Sequence, residues 1–113
     1  MEYYIKAILL DKCGYSIAAK KLLDLHNIRT EIINVNVLNK IEYKNEQIQT
    51  FPQIYLCKDN SLGSLLLGGY DDLSYFISNF KKKTLNDDNI DKFNIKYKWS
   101  KKATLRLIQL INN

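Results

Sequence analysis

The stretch YYIKAILLDKCGYSIAAKKLLDLHN, residues 3–27, decides the fold prediction for this chain of 113 residues. Its first part, about residues 3–10, is a dense apolar run of the kind found in a strand that is covered on both faces. Apolar residues then recur near helical spacing, at Ile17, Ala18, Leu22 and Leu25. The stretch therefore predicts a strand, followed by a helix that begins at or just after Cys13.

Strand signals alternate with helix signals in the next part of the chain. Residues 30–37 are rich in β-branched residues and predict a second strand, whereas the polar residues 38–49 predict a short, exposed helix. Two more strands are expected, one headed by Pro52, the only proline, and one over SLLLGG at residues 64–69.

A third helix is predicted after those strands, opened by an acidic N-cap at Asp71 and Asp72. Its expected core residues are Leu73, Phe76, Ile77 and Phe80. The order up to this point is βαβαββα. The following polar stretch, residues 81–98, shows no period and is interpreted as a linker or surface loop.

The end of the chain predicts one more helix, with Ser100 as its N-cap. An apolar stripe should run along it through Thr104, Leu107, Ile108 and Ile111. We therefore divide the chain into a domain over residues 1–82 and a basic extension, a linker plus a helix, over residues 83–113.

Composition and charge limit the class of protein. The chain is 46% hydrophobic and 26% charged, contains no membrane-length apolar run, and lacks the features of a signal peptide, which predicts a cytoplasmic location and no membrane partner. Residues 1–80 hold 8 Lys and Arg against 9 Asp and Glu, whereas residues 81–113 hold 9 against 3. The net charge of +5 therefore comes from the C-terminal part of the chain, residues 81–113.

The basic tail KYKWSKKATLR, residues 96–106, combines cations with an aromatic residue, as some nucleic-acid-binding segments do. The preferred interpretation is an amphipathic helix docked on the domain through Trp99, Leu107 and Ile111, so nucleic acid is not expected as a partner. His26, the only histidine, ends the first helix and is assigned a surface or capping role.

Cys13 is the first candidate for chemistry. A thiol at the first turn of a helix faces unpaired N–H groups and the positive end of the helix dipole, which both favour the reactive thiolate. With one histidine and two separated cysteines, the chain cannot build a zinc site from the usual ligands.

Three motifs, CGYS at 13–16, TFP at 50–52 and GGYDD at 68–72, occur in the order that resembles the glutaredoxin family. The resemblance covers roughly residues 3–80. It implies a thioredoxin-like α/β fold, in which helices flank a four-stranded mixed sheet, with a helical C-terminal extension added here.

The resemblance also assigns a site. It makes Cys13 the attacking thiol and places Ser16 where dithiol members carry a second cysteine, so the site is monothiol. It implies a cis peptide bond between Phe51 and Pro52 that lies against the thiol, next to Thr50. The glutathione-binding residues that it implies are Lys12, Tyr15, Phe51, Pro52, Gly69, Tyr70, Asp71 and Asp72.

The implied function is glutathione-dependent reduction of protein–glutathione mixed disulfides through Cys13. Cys57 lies too far along its predicted strand to act as a resolving thiol and is assigned to packing. The expected partners are glutathione and glutathionylated or disulfide-bonded proteins, and the enzyme is expected to be a monomer.

Three alternatives stay open. Monothiol members with a CGFS site hold a two-iron iron–sulfur cluster between two subunits, which would make Cys13 a cluster ligand and the protein a dimer. A catalytically inactive binding module is the second alternative. An arsenate-reductase-like function is the third, and it expects an arginine where this chain has Ile17.

Overall fold

The computed structural model describes residues 2–81 and 86–112. Its elements, in chain order, are β1 (Tyr3–Leu10), α1 (Gly14–Leu25), β2 (Thr30–Val35), a 3₁₀ helix (Lys40–Tyr43), β3 (Gln53–Lys58), β4 (Ser64–Gly68), α2 (Tyr70–Phe80), α3 (Asp87–Tyr97) and α4 (Lys101–Ile111). No helix among these described residues is both long enough and apolar enough to cross a membrane.

The four strands form one mixed sheet, as predicted, and the structure gives their order as β2-β1-β3-β4. β1 runs parallel to β2 and antiparallel to β3, and β4 is antiparallel to β3. The dense apolar sequence of β1 follows from this central position: Ala7, for example, is fully buried and is paired with Ile32 on one side and Ile54 on the other.

Side chains alternate between the two faces of the sheet, so each strand contributes to two clusters. Ile5, Ala7 and Leu9 of β1 join the main core, which also contains the buried faces of α1, α2, α3 and α4. The opposite face carries a smaller cluster of buried residues, namely Ile8, Val35, Tyr55 and Cys57.

The apolar residues that predicted α1 form only part of its buried face, since Ala18 and Leu22 are partly buried and Leu22 packs against the main core. The helix buries Ser16, Ala19 and Leu23, whereas Ile17 is 51% exposed and Leu25 is 73% exposed. Ser16 fits in the interior because its hydroxyl oxygen has a backbone partner, and the small side chain of Ala19 brings the helix close to the sheet. α1 ends at a C-cap formed by His26, in agreement with the expected capping role.

The polar segment after β2 is less helical than predicted. β2 ends at Val35, and residues 38–49 contain only the 3₁₀ turn Lys40–Tyr43. Asparagine side chains explain the difference, because they hydrogen-bond to nearby amides and so compete with helix formation. The Asn36 Oδ1 accepts from the amide of Asn39 at 3.0 Å, and the Asn45 Oδ1 accepts from the amide of Ile48 at 3.1 Å.

The interpretation of residues 81–98 as a linker or loop is also wrong for the greater part of that stretch. α3 covers Asp87–Tyr97, and the side chain of Asn86 caps it by accepting from the Asp88 amide at 2.8 Å. Ile90 and Phe93 are its only buried residues, so polar residues hide the helical period. The proposed boundary between residues 82 and 83 lies outside the described residues.

The final helix agrees with its prediction. α4 begins after Ser100, whose hydroxyl accepts from the Ala103 amide at 3.1 Å. The four residues of the predicted stripe are buried, together with Leu110. Trp99 is 5% exposed and its indole donates to the carbonyl of Leu66 at 3.1 Å, so the extension is docked against β4.

Candidate active site

Cys13 lies between β1 and α1, where it is the N-cap residue of the helix. Its extended backbone (φ −92°, ψ 120°) ends the turn, and its carbonyl accepts the first helical bond from the Ile17 amide at 3.0 Å. The thiol is half-buried and unpaired by any disulfide. This position gives the sulfur access both to the helix N-terminus and to solvent.

Ser16 lies beside this thiol and is 1% exposed. Its hydroxyl oxygen accepts from the Leu10 amide at 3.0 Å, which leaves the hydroxyl proton available to the Cys13 sulfur. Burial acts to raise the pKa of the Cys13 thiol, but hydrogen bonds from the Ser16 amide and hydroxyl and from the Tyr15 amide hold this pKa below its ordinary value.

A Ser16→Ala variant tests this hydrogen bond. Removing the hydroxyl should raise the Cys13 pKa towards that of a free cysteine, because one of the bonds that stabilise the thiolate is lost. Alkylation by iodoacetamide should therefore become a few-fold slower at neutral pH, with its pH midpoint moved upward. Ser78→Ala, on the exposed surface of α2, is the control, and an unchanged midpoint in Ser16→Ala would contradict the assignment.

A groove of about 710 Å³ opens next to the thiol. Its walls come from the segment before β3, from β4 and from the start of α2, and the lining residues are Tyr15, Gln47, Ile48, Thr50, Phe51, Pro52, Leu66, Leu67, Gly68, Gly69, Tyr70, Asp71 and Asp72. Cys13 is not itself a wall residue, but its Sγ lies 3.9 Å from the carbonyl oxygen of Phe51. The thiol is thus at the edge of the groove.

The segment before β3 has the geometry that the resemblance implies, because the Phe51–Pro52 peptide bond is cis. Pro52 is buried, and its carbonyl oxygen is 3.6 Å from the position that a Cβ atom would take at Gly69. The TFP and GGYDD motifs are therefore in direct contact. Across the groove, the rings of Tyr15 and Tyr70 lie 6.2 Å apart.

The turn into α2 differs from its prediction, because Gly69 rather than an aspartate is the N-cap residue. Asp72 is in the first turn of the helix, and its Oδ2 accepts from the Gly69 amide at 2.9 Å. Its Oδ1 accepts from the hydroxyl of Tyr97 at 2.6 Å. Both oxygens of Asp72 are therefore occupied, whereas Asp71 is exposed at the groove.

Gly68 is required by the same turn. Its backbone φ of +138° is one that residues with a side chain rarely adopt. In addition, a Cβ atom there would lie 2.1 Å from the Asp72 Oδ2. We expect Gly68→Ala to lower the free energy of unfolding by about 2 kcal/mol or more, which urea denaturation would measure. Gly69→Ala is the matched control, with its Cβ in ordinary contact, and equal losses from the two variants would contradict the argument.

The structure brings most of the predicted site residues together, with two exceptions. Cys13 and Ser16 meet at the start of α1, and the groove collects the other predicted residues apart from Lys12. Lys12 is exposed and lines a separate hollow with Lys20 and Lys21. Asp72 is an exception in its contacts rather than its place: it lines the groove, but both of its carboxylate oxygens accept hydrogen bonds from within the protein.

Five residues of the site were missed from the sequence. Gln47, Ile48, Leu66 and Leu67 line the groove, and Tyr97 contacts it through Asp72. Gln47 and Ile48 belong to a polar loop without periodicity, and Leu66 and Leu67 belong to a short strand. Neither segment contains a sequence motif that indicates a binding role. Tyr97 follows Ile90 and Phe93 at helical spacing, which was the signal available for α3.

Cys57 is assigned to packing, as predicted, because it is 5% exposed on the second face of the sheet. It is paired with Tyr4 near the start of β1, whereas Cys13 follows the end of that strand. Burial raises the pKa of the Cys57 thiol above its ordinary value. A thiol in this position is therefore poorly reactive and lies away from the groove.

Comparisons with known proteins agree with this fold. The family model described as glutaredoxin matches residues 1–60, more than half of the chain. A search of curated proteins finds no match. Among solved structures, the chain is similar to glutaredoxin 1 from Francisella tularensis complexed with cacodylate, with a TM-score of 0.54 and 20% identity over 67% of this chain and 93% of that chain. At this identity the likeness shows the fold, and together with the family match it establishes that the chain belongs to the glutaredoxin family of thiol–disulfide oxidoreductases.

Proposed function

We propose that this protein is a monothiol glutaredoxin, which uses Cys13 and glutathione to reduce protein–glutathione mixed disulfides. The observation that carries the proposal is the pair formed by Cys13 and Ser16. The buried Ser16 hydroxyl is held by the Leu10 amide, so that its proton faces a thiol whose pKa is lowered. This arrangement provides a thiolate at the edge of a groove, but no second thiol beside it.

The proposed reaction has two exchange steps. The Cys13 thiolate attacks the glutathione sulfur of the mixed disulfide, a bond forms between these two sulfurs, and the substrate protein leaves as its thiolate. A second glutathione thiolate then attacks the glutathione sulfur on Cys13, which releases glutathione disulfide and regenerates the Cys13 thiolate. The glutathionyl group of the substrate and one free glutathione leave together as glutathione disulfide, so one glutathione thiol is consumed for each protein thiol released and no further oxidant or reductant is needed.

The groove suggests how glutathione would lie. The backbone of Phe51, next to the thiol, would pair with the cysteinyl part, and the rings of Tyr15 and Tyr70 would cover it. The γ-glutamyl carboxylate would be received by amides at the start of α2, and its ammonium group by the exposed Asp71. Both carboxylate oxygens of Asp72 already accept a hydrogen bond from the protein, so we propose that Asp71 rather than Asp72 makes the direct contact.

The carboxylate at the glycine end of glutathione needs a partner in the groove wall. Lys12 is outside the groove, and the described wall residues include no lysine or arginine. Polar side chains remain at the opposite wall, where Gln47 and Thr50 offer an amide and a hydroxyl group to a carboxylate. We therefore propose these two residues in place of Lys12.

The cluster-binding alternative has a specific requirement. Among the described residues, no group of three or more histidine, cysteine, aspartate or glutamate side chains is placed to hold a metal ion. A two-iron cluster would thus need Cys13 from two copies of the chain and the thiolates of two glutathione molecules. Cys13 at the groove edge is compatible with that ligand set.

The function is tested by glutathione-coupled reduction of a glutathionylated peptide. The proposal expects turnover by the purified chain that depends on glutathione and rises with pH as the Cys13 thiolate forms. Visible absorption after anaerobic incubation with iron, sulfide and glutathione would reveal a cluster. Absorption without turnover would favour the carrier, and glutathione binding with neither would favour the inactive module.

A further inference from the structure

The C-terminal extension reaches the groove through Tyr97, the last residue of α3. The Tyr97 hydroxyl donates to the Asp72 Oδ1 at 2.6 Å, across 25 positions of the sequence. Tyr97 lies beyond residues 1–60, which the family model matches. The contact is therefore supplied by a part of this chain that the family match does not cover.

The phenol is held in place by its surroundings. The ring of Tyr97 stacks on Phe93 with 4.4 Å between centroids, and on Tyr75 with 6.5 Å. α3 ends at Tyr97, and the next residue, Lys98, is its C-cap in the left-handed conformation. Phe93 is itself fully buried in the main core, so the position of the hydroxyl is fixed by packing rather than by the hydrogen bond alone.

This hydroxyl acts on the turn through Asp72. One carboxylate oxygen takes the Tyr97 hydroxyl, the other takes the Gly69 amide, and the missing side chain of Gly68 provides the space. Burial is the larger cause and the hydrogen bond to Asp72 the next, and together they raise the pKa of Tyr97. The phenol therefore keeps its proton at physiological pH. A neutral donor thus holds the carboxylate against the start of α2.

We propose that Tyr97 is a positioning residue of the groove, which fixes Asp72 and through it the Gly69–Asp71 turn that receives the γ-glutamyl end of glutathione. The inference rests on the proposed function. Tyr97 touches no reacting atom, so its loss should weaken ligand binding and leave the chemical step unchanged. The loss of a merely structural residue would lower stability without weakening ligand binding selectively.

The test compares Tyr97→Phe with Tyr75→Phe in the full chain. Both variants remove one hydroxyl from the same aromatic stack, but only Tyr97 donates to Asp72. S-methylglutathione, whose sulfur cannot exchange, serves as the binding probe. We expect the Kd of Tyr97→Phe to rise by about three- to tenfold, and that of Tyr75→Phe to stay within about twofold of wild type.

Two further readouts separate positioning from general destabilisation. For the exchange reaction, Tyr97→Phe should raise KM for the glutathionylated peptide and leave kcat within about twofold of wild type. The amide proton resonance of Gly69 should move in Tyr97→Phe and not in Tyr75→Phe, because the acceptor of that amide is no longer held. In an Asp72→Asn background, Tyr97→Phe should have a smaller effect on Kd.

The outcomes are distinguishable. A wild-type chain that does not bind S-methylglutathione would contradict the proposed function, and the positioning role would be lost with it. A wild-type chain that binds, with equal affinity in Tyr97→Phe, would overturn only the positioning role. An unchanged Kd combined with a lower free energy of unfolding would show that Tyr97 is structural.

Discussion

A Cys13→Ser variant is expected to lose glutathione-dependent exchange by at least about a thousandfold, down to the uncatalysed background. The reason is chemical: a serine hydroxyl is not ionised at neutral pH, and no other described thiol lies at the groove edge. The measurement is initial rate on a glutathionylated peptide. Mass spectrometry after incubation with glutathione disulfide should show one added glutathione on the wild type and none on the variant.

Cys57→Ala is the matched control for this prediction. It removes the second thiol from a site on the opposite face of the sheet from the main core, where burial raises the pKa of the group. We expect it to retain exchange activity and to accept one glutathione at Cys13. Activity that survives in Cys13→Ser and disappears in Cys57→Ala would reverse the assignment of the two thiols.

Trp99→Ala is expected to lower the free energy of unfolding by about 3–5 kcal/mol, a large fraction of the stability of a small domain. The indole is 5% exposed, packs edge-on against Phe93 at 5.4 Å, and donates to the Leu66 carbonyl. Its loss would leave a cavity between the extension and β4 and would remove one hydrogen bond to the Leu66 carbonyl. Urea denaturation followed by far-ultraviolet circular dichroism measures the change.

Trp99→Phe separates packing from hydrogen bonding. It keeps an aromatic ring against Phe93 and removes the donor to Leu66, so we expect a smaller loss, of about 1–2 kcal/mol. Losses below 1 kcal/mol in both variants would mean that the extension adds little to the stability of the fold.

The parts of the fold that carry strong patterns were predictable from the sequence. β1 is buried on both sides and therefore reads as a continuous apolar run, and its predicted bounds are confirmed. α4 has a wide apolar stripe and a serine cap, and both are confirmed. The cis bond before Pro52 was implied by the resemblance and is present.

The errors have physical causes. α3 was missed because two buried residues, Ile90 and Phe93, are enough to dock a helix whose other positions are polar. The buried face of α1 was not predicted correctly because Ser16 is buried there in place of an apolar residue. A hydroxyl group is stable in the interior only when it has a hydrogen-bond partner, here the Leu10 amide. The partner could not be read from local spacing.

The hydrogen bonds of Asp72 are a third feature that the local sequence could not predict. In the sequence, Asp71 and Asp72 are adjacent and chemically equal. The fold makes them different, because Tyr97, 25 positions further along the chain, donates to Asp72. Both residues line the groove, and no such bond is made to Asp71 by Tyr97. Roles that depend on a contact between distant segments require the three-dimensional structure.

The single tryptophan gives the protein an intrinsic fluorescent probe at one known position. The indole nitrogen of Trp99 is bonded to Leu66, a wall residue of the groove, and its ring touches Phe93, which stacks on Tyr97. We therefore expect its fluorescence to report on the boundary between the sheet domain and the C-terminal extension. Unfolding, and ligand binding in the proposed site, should change this fluorescence in the unlabelled protein, without a dye attached to either cysteine.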